Sequence, residues 1–179
     1  MEHFRFNEDG WLAQAHTIAS PNFDARPNAC AVDMIVIHNI SLPPYQYGGD
    51  GIVQLFTNQL NPDEHPYYAE IYTRKVSAHF LIRRDGHLMQ FVSCSDRAWH
   101  AGVSEWQGRE RCNDFSVGIE LEGCDVEAFE PPQYATLTRL IKSIKCHYPI
   151  THIVGHSDIA PGRKTDPGPY FDWNMISSL

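Results

Sequence analysis

The stretch Met34-Ile35-Val36-Ile37-His38 decides the fold that the sequence predicts. Its four apolar residues, two of them isoleucine and one valine, favour a short strand that is buried on both faces. A polar histidine follows where this apolar run ends. The run therefore indicates an α/β layer domain with a central sheet, and it places a chemically active side chain at the end of one of its strands.

The segments that follow predict the rest of the sheet. Residues 80–84 and 87–92 form a hairpin signal around Asp85-Gly86, a pair that suits a turn with positive φ. Residues 115–121 predict another central strand, which carries Glu120 among apolar neighbours. With the run at 34–37, these segments favour a mixed sheet.

Helical periodicity is strongest over residues 132–147, where apolar residues mark one face and Arg139 and Lys142 lie off it. Ile52, Leu55 and Phe56 predict a short helix behind Asp50, a plausible N-cap. Residues 61–72 are rich in Pro, Asp, His and Tyr without a period, and we interpret them as a loop. Residues 172–176 predict a short last helix, and the aromatic residues Phe91, Phe115, Trp99 and Trp173 are expected in the core.

Composition favours one folded domain spanning residues 1–179. Hydrophobic residues make up 42% of the 179 residues and charged residues 20%, which is ordinary for a globular protein. The net charge of -8 gives no general basic surface of the kind that nucleic acids or anionic membranes require. An anionic ligand must therefore be bound by a local group of cations.

The N-terminal sequence and the cysteines indicate the cellular compartment in which the protein is expected. The first 20 residues carry charges and no apolar core of a secretory signal, and no stretch is apolar enough to span a membrane. A cytoplasmic location is therefore expected. The cysteines are scattered, odd in number and without a C-x-x-C pair, so we interpret them as reduced thiols. They are Cys30, Cys94, Cys112, Cys124 and Cys146.

Several residues have the chemistry of metal ligands. His38 ends a buried strand, while His156 and Asp166 lie in a later segment rich in glycine and proline. Two imidazoles and one carboxylate can bind zinc and leave a fourth position open for water. The chain has 10 histidines, however, and the spacing of these residues fits no local metal motif. By pattern alone, any single histidine here is more often a hydrogen-bonded structural residue than a metal ligand.

Six blocks of sequence resemble the AmpD-type N-acetylmuramyl-L-alanine amidases. They run in family order and include Trp99-His100-Ala101-Gly102 and the closing Lys164-Thr165-Asp166-Pro167-Gly168-Pro169. The blocks cover residues 36–44, 76–86, 97–102, 107–116, 118–123 and 164–169. The resemblance implies a single-domain α/β fold with a central mixed β-sheet flanked by helices and a zinc cleft on one face, shared with phage lysozyme-like amidases and peptidoglycan recognition proteins.

The same resemblance assigns roles at the site. It implies that Zn²⁺ is bound by His38, His156 and Asp166, and that Glu120 and Lys164 form the catalytic pair. In amide hydrolysis, zinc would activate water, Glu120 would move its proton, and Lys164 would face the negative charge that grows on the carbonyl oxygen.

Other polar residues remain open. Glu122 is a rival for the base, because residues two apart in a strand share a face, and only the family match favours Glu120. His79 is expected to be a buried imidazole bonded to backbone. His100 could equally border the cleft.

The expected substrate is an anhydro-muramyl peptide with several carboxylates. The resemblance places Asn39 and Arg111 against this substrate, and Lys75 stands where arginine is usual in the family, which would replace a bidentate donor by a point charge. No nucleic acid, membrane or obligate protein partner is expected.

The resemblance implies hydrolysis of the bond between the lactyl group of 1,6-anhydro-N-acetylmuramic acid and L-alanine, in cytoplasmic peptidoglycan recycling. Two alternatives are a lytic amidase acting on intact cell wall and a non-catalytic peptidoglycan-binding module. The second usually lacks a zinc ligand, whereas His38, His156 and Asp166 are all present.

Overall fold

The computed structural model describes residues 4–28, 30–177 and 179. Short strands and helices alternate around one large sheet. The strands are β1 His16–Thr17, β2 Phe23–Ala25, β3 Met34–Ile40, β4 Phe80–Ile82, β5 Leu88–Gln90, β6 Asp96–Ala98, β7 Glu105–Trp106, β8 Arg109–Glu110, β9 Ser116–Glu122 and β10 His152–Gly155. The α-helices are α1 Gly51–Phe56, α2 Pro66–Ile71, α3 Pro131–His147 and α4 His156–Ile159, and 3-10 turns lie at Cys112–Asp114 and Trp173–Met175.

The large sheet has the strand order β1-β5-β4-β9-β3-β10. Only β4 and β5 are antiparallel, and the other neighbouring strands are parallel. The predicted mixed sheet is therefore confirmed. Two smaller pairs, β2 with β6 and β7 with β8, lie outside it.

Both faces of the central strands are covered. Ile35 and Ile37 of β3 pack in one core cluster with the apolar face of α3. Val36 packs on the opposite face with Val154 of β10. Since residues two apart in a strand share a face, His38 follows Val36 away from α3.

The parallel register brings polar residues to one edge of the sheet. His38 in β3 stands opposite Glu120 in β9. Gly155, the last residue of β10, stands opposite Ile37, and His156 follows it directly. Because the carboxyl ends of parallel strands meet at the same edge, these three side chains lie close together.

Most of the predicted elements are confirmed. The apolar run at 34–37 is the first part of β3, the hairpin is the pair β4 and β5 with Gly86 at φ 85°, and α3 begins at Pro131, one residue before the predicted start. Phe91 and Phe115 are buried, and the five cysteines are all free.

Two predictions are wrong. Residues 61–72 contain α2 rather than only a loop, because Pro66 occupies the first turn, where proline is tolerated, and the His65 ring accepts the Tyr67 N–H. The second wrong prediction is the core position of both tryptophans. Trp173 is 38% exposed, and Trp99 is only half-buried and donates its ring N–H to Asp24.

Among the residues that the structure describes, none of the helices combines the length and the apolar composition that a membrane span requires.

Candidate metal centre and active-site cleft

A cleft of about 430 Å³ opens at the carboxyl edge of the parallel strands. Most of the residues that the sequence singled out line it. They are His38, Asn39, Glu120, His156, Lys164 and Asp166. The walls also include uncharged residues from the segment after β3 and from the helices α1 and α2.

Three side chains at the base of this cleft converge on one point. Nδ1 of His38 lies 3.0 Å from Nδ1 of His156 and 2.9 Å from Oδ2 of Asp166. Nδ1 of His156 lies 3.1 Å from the same carboxylate oxygen. Together these three residues form a group that could hold a metal ion. We call this group the triad.

The hydrogen bonds of His156 determine how its ring faces the triad. Its Nε2 lies 3.0 Å from the carbonyl oxygen of Ala101. A carbonyl only accepts, so Nε2 carries the proton, and Nδ1 of the neutral ring then has a free lone pair. That lone pair faces a carboxylate oxygen of Asp166. A bound cation between the two atoms would remove their repulsion.

Electrostatics also prepare the triad for a cation. Burial lowers the pKa of His38 to about 4, although Asp166 opposes the shift. Burial favours the protonated form of Asp166, but the hydrogen bonds and the positive charge that the two imidazoles supply when they are protonated outweigh burial and hold the pKa of this carboxyl below its usual value. A metal cation at the same point would take the place of that proton. A neutral imidazole and an ionised carboxylate are the forms that bind metals.

A chain of hydrogen bonds continues from His38 into the protein. Its Nε2 lies 2.9 Å from Nδ1 of His100, whose Nε2 lies 3.2 Å from Oγ of Ser116. The Ser116 hydroxyl donates to the carbonyl of Cys112 at 2.5 Å. Because that carbonyl only accepts, the chain is consistent with His38 donating from Nε2 and keeping the Nδ1 lone pair for the triad.

His100 is held in place by close packing and by backbone bonds. A Cβ on Gly118 of β9 would lie 2.4 Å from the His100 ring, so only glycine leaves room for it. Oδ1 of Asn113 accepts the backbone N–H groups of His100 and Ala101 at 3.1 and 2.8 Å. This part of the site is therefore rigidly positioned.

Arg26 stabilises the backbone segment next to His100. Its half-buried guanidinium donates to the backbone carbonyls of Asn113, Asp114 and Ser116 at 3.1, 3.0 and 2.9 Å. His79 lies beside it, and the His79 Nε2 is 3.1 Å from the carbonyl of Asp96. His79 is thus the buried, backbone-bonded imidazole that the sequence predicted.

Glu120 is a buried carboxylate that faces the cleft. It is 9% exposed, and its Oε2 atom has no hydrogen-bond partner among the residues described. Burial raises the pKa of Glu120 well above its usual value, the charge of Asp166 adds to this shift, and Lys164 opposes it. A carboxylate of this kind is suited to accept a proton from a water molecule in the cleft.

Glu122 has a different environment. Its Oε1 accepts from the Gly48 N–H at 2.7 Å and from the Arg83 guanidinium at 2.8 Å, and its Oε2 accepts from the Arg84 N–H at 3.2 Å. Both oxygens are therefore occupied by structural bonds. Glu122 also does not line the cleft, so the geometry separates it from Glu120.

The other predicted residues differ in whether they line the cleft. Asn39 donates from Nδ2 to Asp125 at 2.7 Å and so joins β3 to a loop at the cleft wall. The exposed Lys164 lines the cleft. Arg111 lines an adjoining pocket of about 550 Å³, and the exposed Lys75 is absent from the residues that line either space.

Sequence reasoning missed two cations of the cleft. Arg74, next to Lys75, lines the cleft, and Arg163, next to Lys164, lines both the cleft and the adjoining pocket. Sequence reasoning had left open whether His100 borders the cleft; His100 does line it, and only its contact with His38 was unforeseen. The resemblance blocks contain His100, and both arginines lie within two residues of a block, but no local pattern identifies a contact between distant segments.

Comparisons with known proteins identify the family of the chain. The family model described as N-acetylmuramoyl-L-alanine amidase matches residues 28–169. A curated relative from Escherichia coli (strain K12), 1,6-anhydro-N-acetylmuramyl-L-alanine amidase AmpD, is 53% identical over 174 residues, which cover 96% of this chain and 95% of the relative.

Two solved structures are also similar to this chain. A crystal structure of a selenomethionine derivative of AmpD superposes with a TM-score of 0.94 and 50% identity, covering 97% of this chain and 98% of that one. AmpDh3 from Pseudomonas aeruginosa, solved in complex with an anhydromuramic pentapeptide, has a TM-score of 0.63 and 29% identity, covering 85% of this chain and 62% of that one.

Proposed function

The chain belongs to the N-acetylmuramoyl-L-alanine amidase family, and we propose that it hydrolyses the amide bond between the lactyl group of 1,6-anhydro-N-acetylmuramic acid and the L-alanine of the stem peptide. One observation carries the proposal: the triad of His38, His156 and Asp166 lies in the same cleft as the buried carboxylate of Glu120, whose Oε2 has no hydrogen-bond partner among the described residues. The anhydro-muramyl specificity of the named relative supports the choice of substrate.

Zinc is the metal that we propose for the triad. Bonds of about 2.0 Å in a tetrahedral site separate the ligand atoms by about 3.3 Å. The triad atoms lie 2.9 to 3.1 Å apart, close to that spacing. Two imidazoles and one carboxylate are also the donor types of catalytic zinc sites with an open position for water. The residues present therefore fit zinc.

When bound, zinc would lower the pKa of a water molecule to about 7 and polarise the carbonyl of the substrate. Glu120 would accept a proton from this water and pass it to the leaving amine. The Lys164 ammonium would face the negative charge that grows on the carbonyl oxygen. His38 and His156 would be held in orientation by the hydrogen bonds from their Nε2 atoms to His100 and Ala101.

Substrate contacts are proposed on the same basis. Asn39 lies at the cleft wall, where its amide can meet the substrate. Arg111 can meet carboxylates of the stem peptide from the adjoining pocket. Lys75 is proposed as an outer, more flexible cation for the stem. We also propose that residues 1–179 form one amidase domain that acts in the cytoplasm, in peptidoglycan recycling, as the resemblance to the recycling amidases suggests.

The test of this function compares two matched substrates. Purified enzyme should release the tripeptide from 1,6-anhydro-N-acetylmuramyl tripeptide with a kcat/KM about 10- to 200-fold higher than from the reducing-end form, since a few contacts supply that discrimination. Mass spectrometry of the products identifies the bond that is cut. Equal efficiency on both substrates would rule out the recycling role and leave a general muramyl amidase.

His100→Phe should weaken zinc binding by roughly 10- to 100-fold, the usual effect of removing a partner of a metal ligand. Phenylalanine keeps a ring next to Gly118 but cannot accept the proton of His38 Nε2. Competition with a chromogenic chelator measures the affinity. The stability of the metal-free protein, measured by its unfolding, is the control. A general loss of fold would lower both this stability and the zinc affinity. Unchanged affinity would show that His100 does not position His38.

A further inference from the structure

Tyr45 has an unfavourable backbone conformation at the wall of the cleft. Its φ is 65°, in the left-handed region, where the Cβ of a non-glycine residue crowds the following carbonyl oxygen. Its backbone N–H donates to Oγ of Ser41 at 2.9 Å, which closes the turn that leads back to β3. The position would be easier for glycine. A tyrosine here therefore calls for a reason.

Packing does not supply that reason. The Tyr45 side chain is 67% exposed, and within the described residues its ring has no aromatic or cation–π contact and its hydroxyl no hydrogen bond. Tyr47, two residues later, behaves differently. Its ring lies 4.8 Å from the Arg84 guanidinium, and its hydroxyl donates to Glu127 at 2.9 Å. Tyr47 anchors the loop, whereas Tyr45 contributes strain without burial.

The position of Tyr45 points to a ligand. Tyr45 lines the cleft that holds the triad, and strained residues with exposed side chains concentrate at ligand sites. The wall formed by residues 40–45 carries no charged side chain. The cations of the cleft lie elsewhere in the sequence, at Arg74, Arg163 and Lys164.

The charged and uncharged parts of the cleft match the two halves of the proposed substrate. The stem peptide carries carboxylates, which cations bind, while the saccharide ring is uncharged and presents C–H groups on its face. A tyrosine ring offers a flat apolar surface with a polar edge. We propose that Tyr45 is the platform on which the saccharide ring of the substrate stacks. This inference rests on the proposed function and adds the residue that recognises the sugar.

Tyr45→Gly tests the platform, because binding and stability should respond differently. Glycine removes the strain, so the urea midpoint of unfolding should stay the same or rise. The KM for anhydro-muramyl tripeptide should rise roughly 2- to 12-fold, the equivalent of one aromatic contact, with little change in kcat. Tyr45→Phe keeps the ring and should restore the wild-type KM.

A substrate without sugar isolates the contact. D-lactoyl tripeptide contains the same scissile amide but no saccharide, so the ratio of wild-type to Tyr45→Gly kcat/KM should fall to near one. Tyr72→Ala is the matched control variant, since Tyr72 is 44% exposed but does not line the cleft. It should leave the KM for both substrates as in the wild type.

Three results would overturn the inference. An equal rise in KM on both substrates would assign Tyr45 to the peptide, and a lower urea midpoint in Tyr45→Gly would assign it to stability. The third is equal affinity of the wild type and Tyr45→Gly for free 1,6-anhydro-N-acetylmuramic acid in calorimetric titration. That measurement needs no turnover, so it tests the platform even if the wild type fails to cut the proposed bond. Failure of the wild type to cut it would count against the proposed function alone.

Discussion

Glu120→Gln should lower kcat by roughly 10²–10⁴-fold while the fold and the metal content stay as in the wild type. The amide has nearly the same shape as the carboxylate but cannot accept the proton of water. Glu120 is buried, and its Oε2 has no partner among the described residues, so the substitution breaks no internal bond of that atom. Single-turnover rates on anhydro-muramyl tripeptide, with zinc content determined on the same sample, measure the effect.

Glu122→Gln is the control for this prediction. Glu122 lies two residues after Glu120 in β9, but it forms an ion pair with Arg83 at 2.8 Å. Arg83 is only half-buried and the amide oxygen can still accept its hydrogen bond, so the free energy of unfolding should fall by less than the about 3–5 kcal/mol of a fully buried pair. Turnover of the folded enzyme should change only a few-fold. If the two variants exchanged these effects, Glu122 would be the base.

Asp166→Ala should reduce zinc affinity by more than about 100-fold, beyond the 10–100-fold effect of losing an outer partner. The substitution removes the only anionic ligand of the triad and leaves two neutral imidazoles. Elemental analysis after dialysis against a weak chelator measures the zinc that remains. Activity should fall in parallel and should return in part when zinc is added in excess.

Asp125→Ala provides the comparison for Asp166→Ala. Asp125 is another carboxylate of the same cleft, but it accepts a bond from Asn39 and lies outside the triad. Its replacement should leave zinc content unchanged. Full zinc occupancy in Asp166→Ala, or activity that survives complete chelation, would contradict the proposed ligands.

The central elements of the fold could be predicted because their patterns are local. The apolar run at 34–37 and the helical period over 132–147 each reflect burial against a neighbouring layer, and both are present as β3 and α3. The helix α2 was missed since Pro66 resembles a loop signal unless its place in the first helical turn is known. Its cap, the His65 ring, is an unusual acceptor that composition does not reveal.

The site was less accessible to sequence reasoning because its contacts join distant segments. His38 and His156 are 118 residues apart, and only their parallel strands bring them to one edge. Spacing alone could not separate Glu120 from Glu122. The two residues differ because Arg83 donates a hydrogen bond to the carboxylate of Glu122 and not to that of Glu120, which can therefore accept a proton in the cleft.

The metal triad also has a consequence for the chain as a polymer. An ion held by His38 and Asp166 would join points that are 128 residues apart in sequence, so it would act as a cross-link between the early strand β3 and the last quarter of the chain. A ligand that binds only the native state at about 1,000 times its Kd stabilises that state by about 4 kcal/mol. Zinc supply would then govern the lifetime of the folded protein as well as its turnover, and metal-starved cells would lose the enzyme to proteolysis as well as to inactivity.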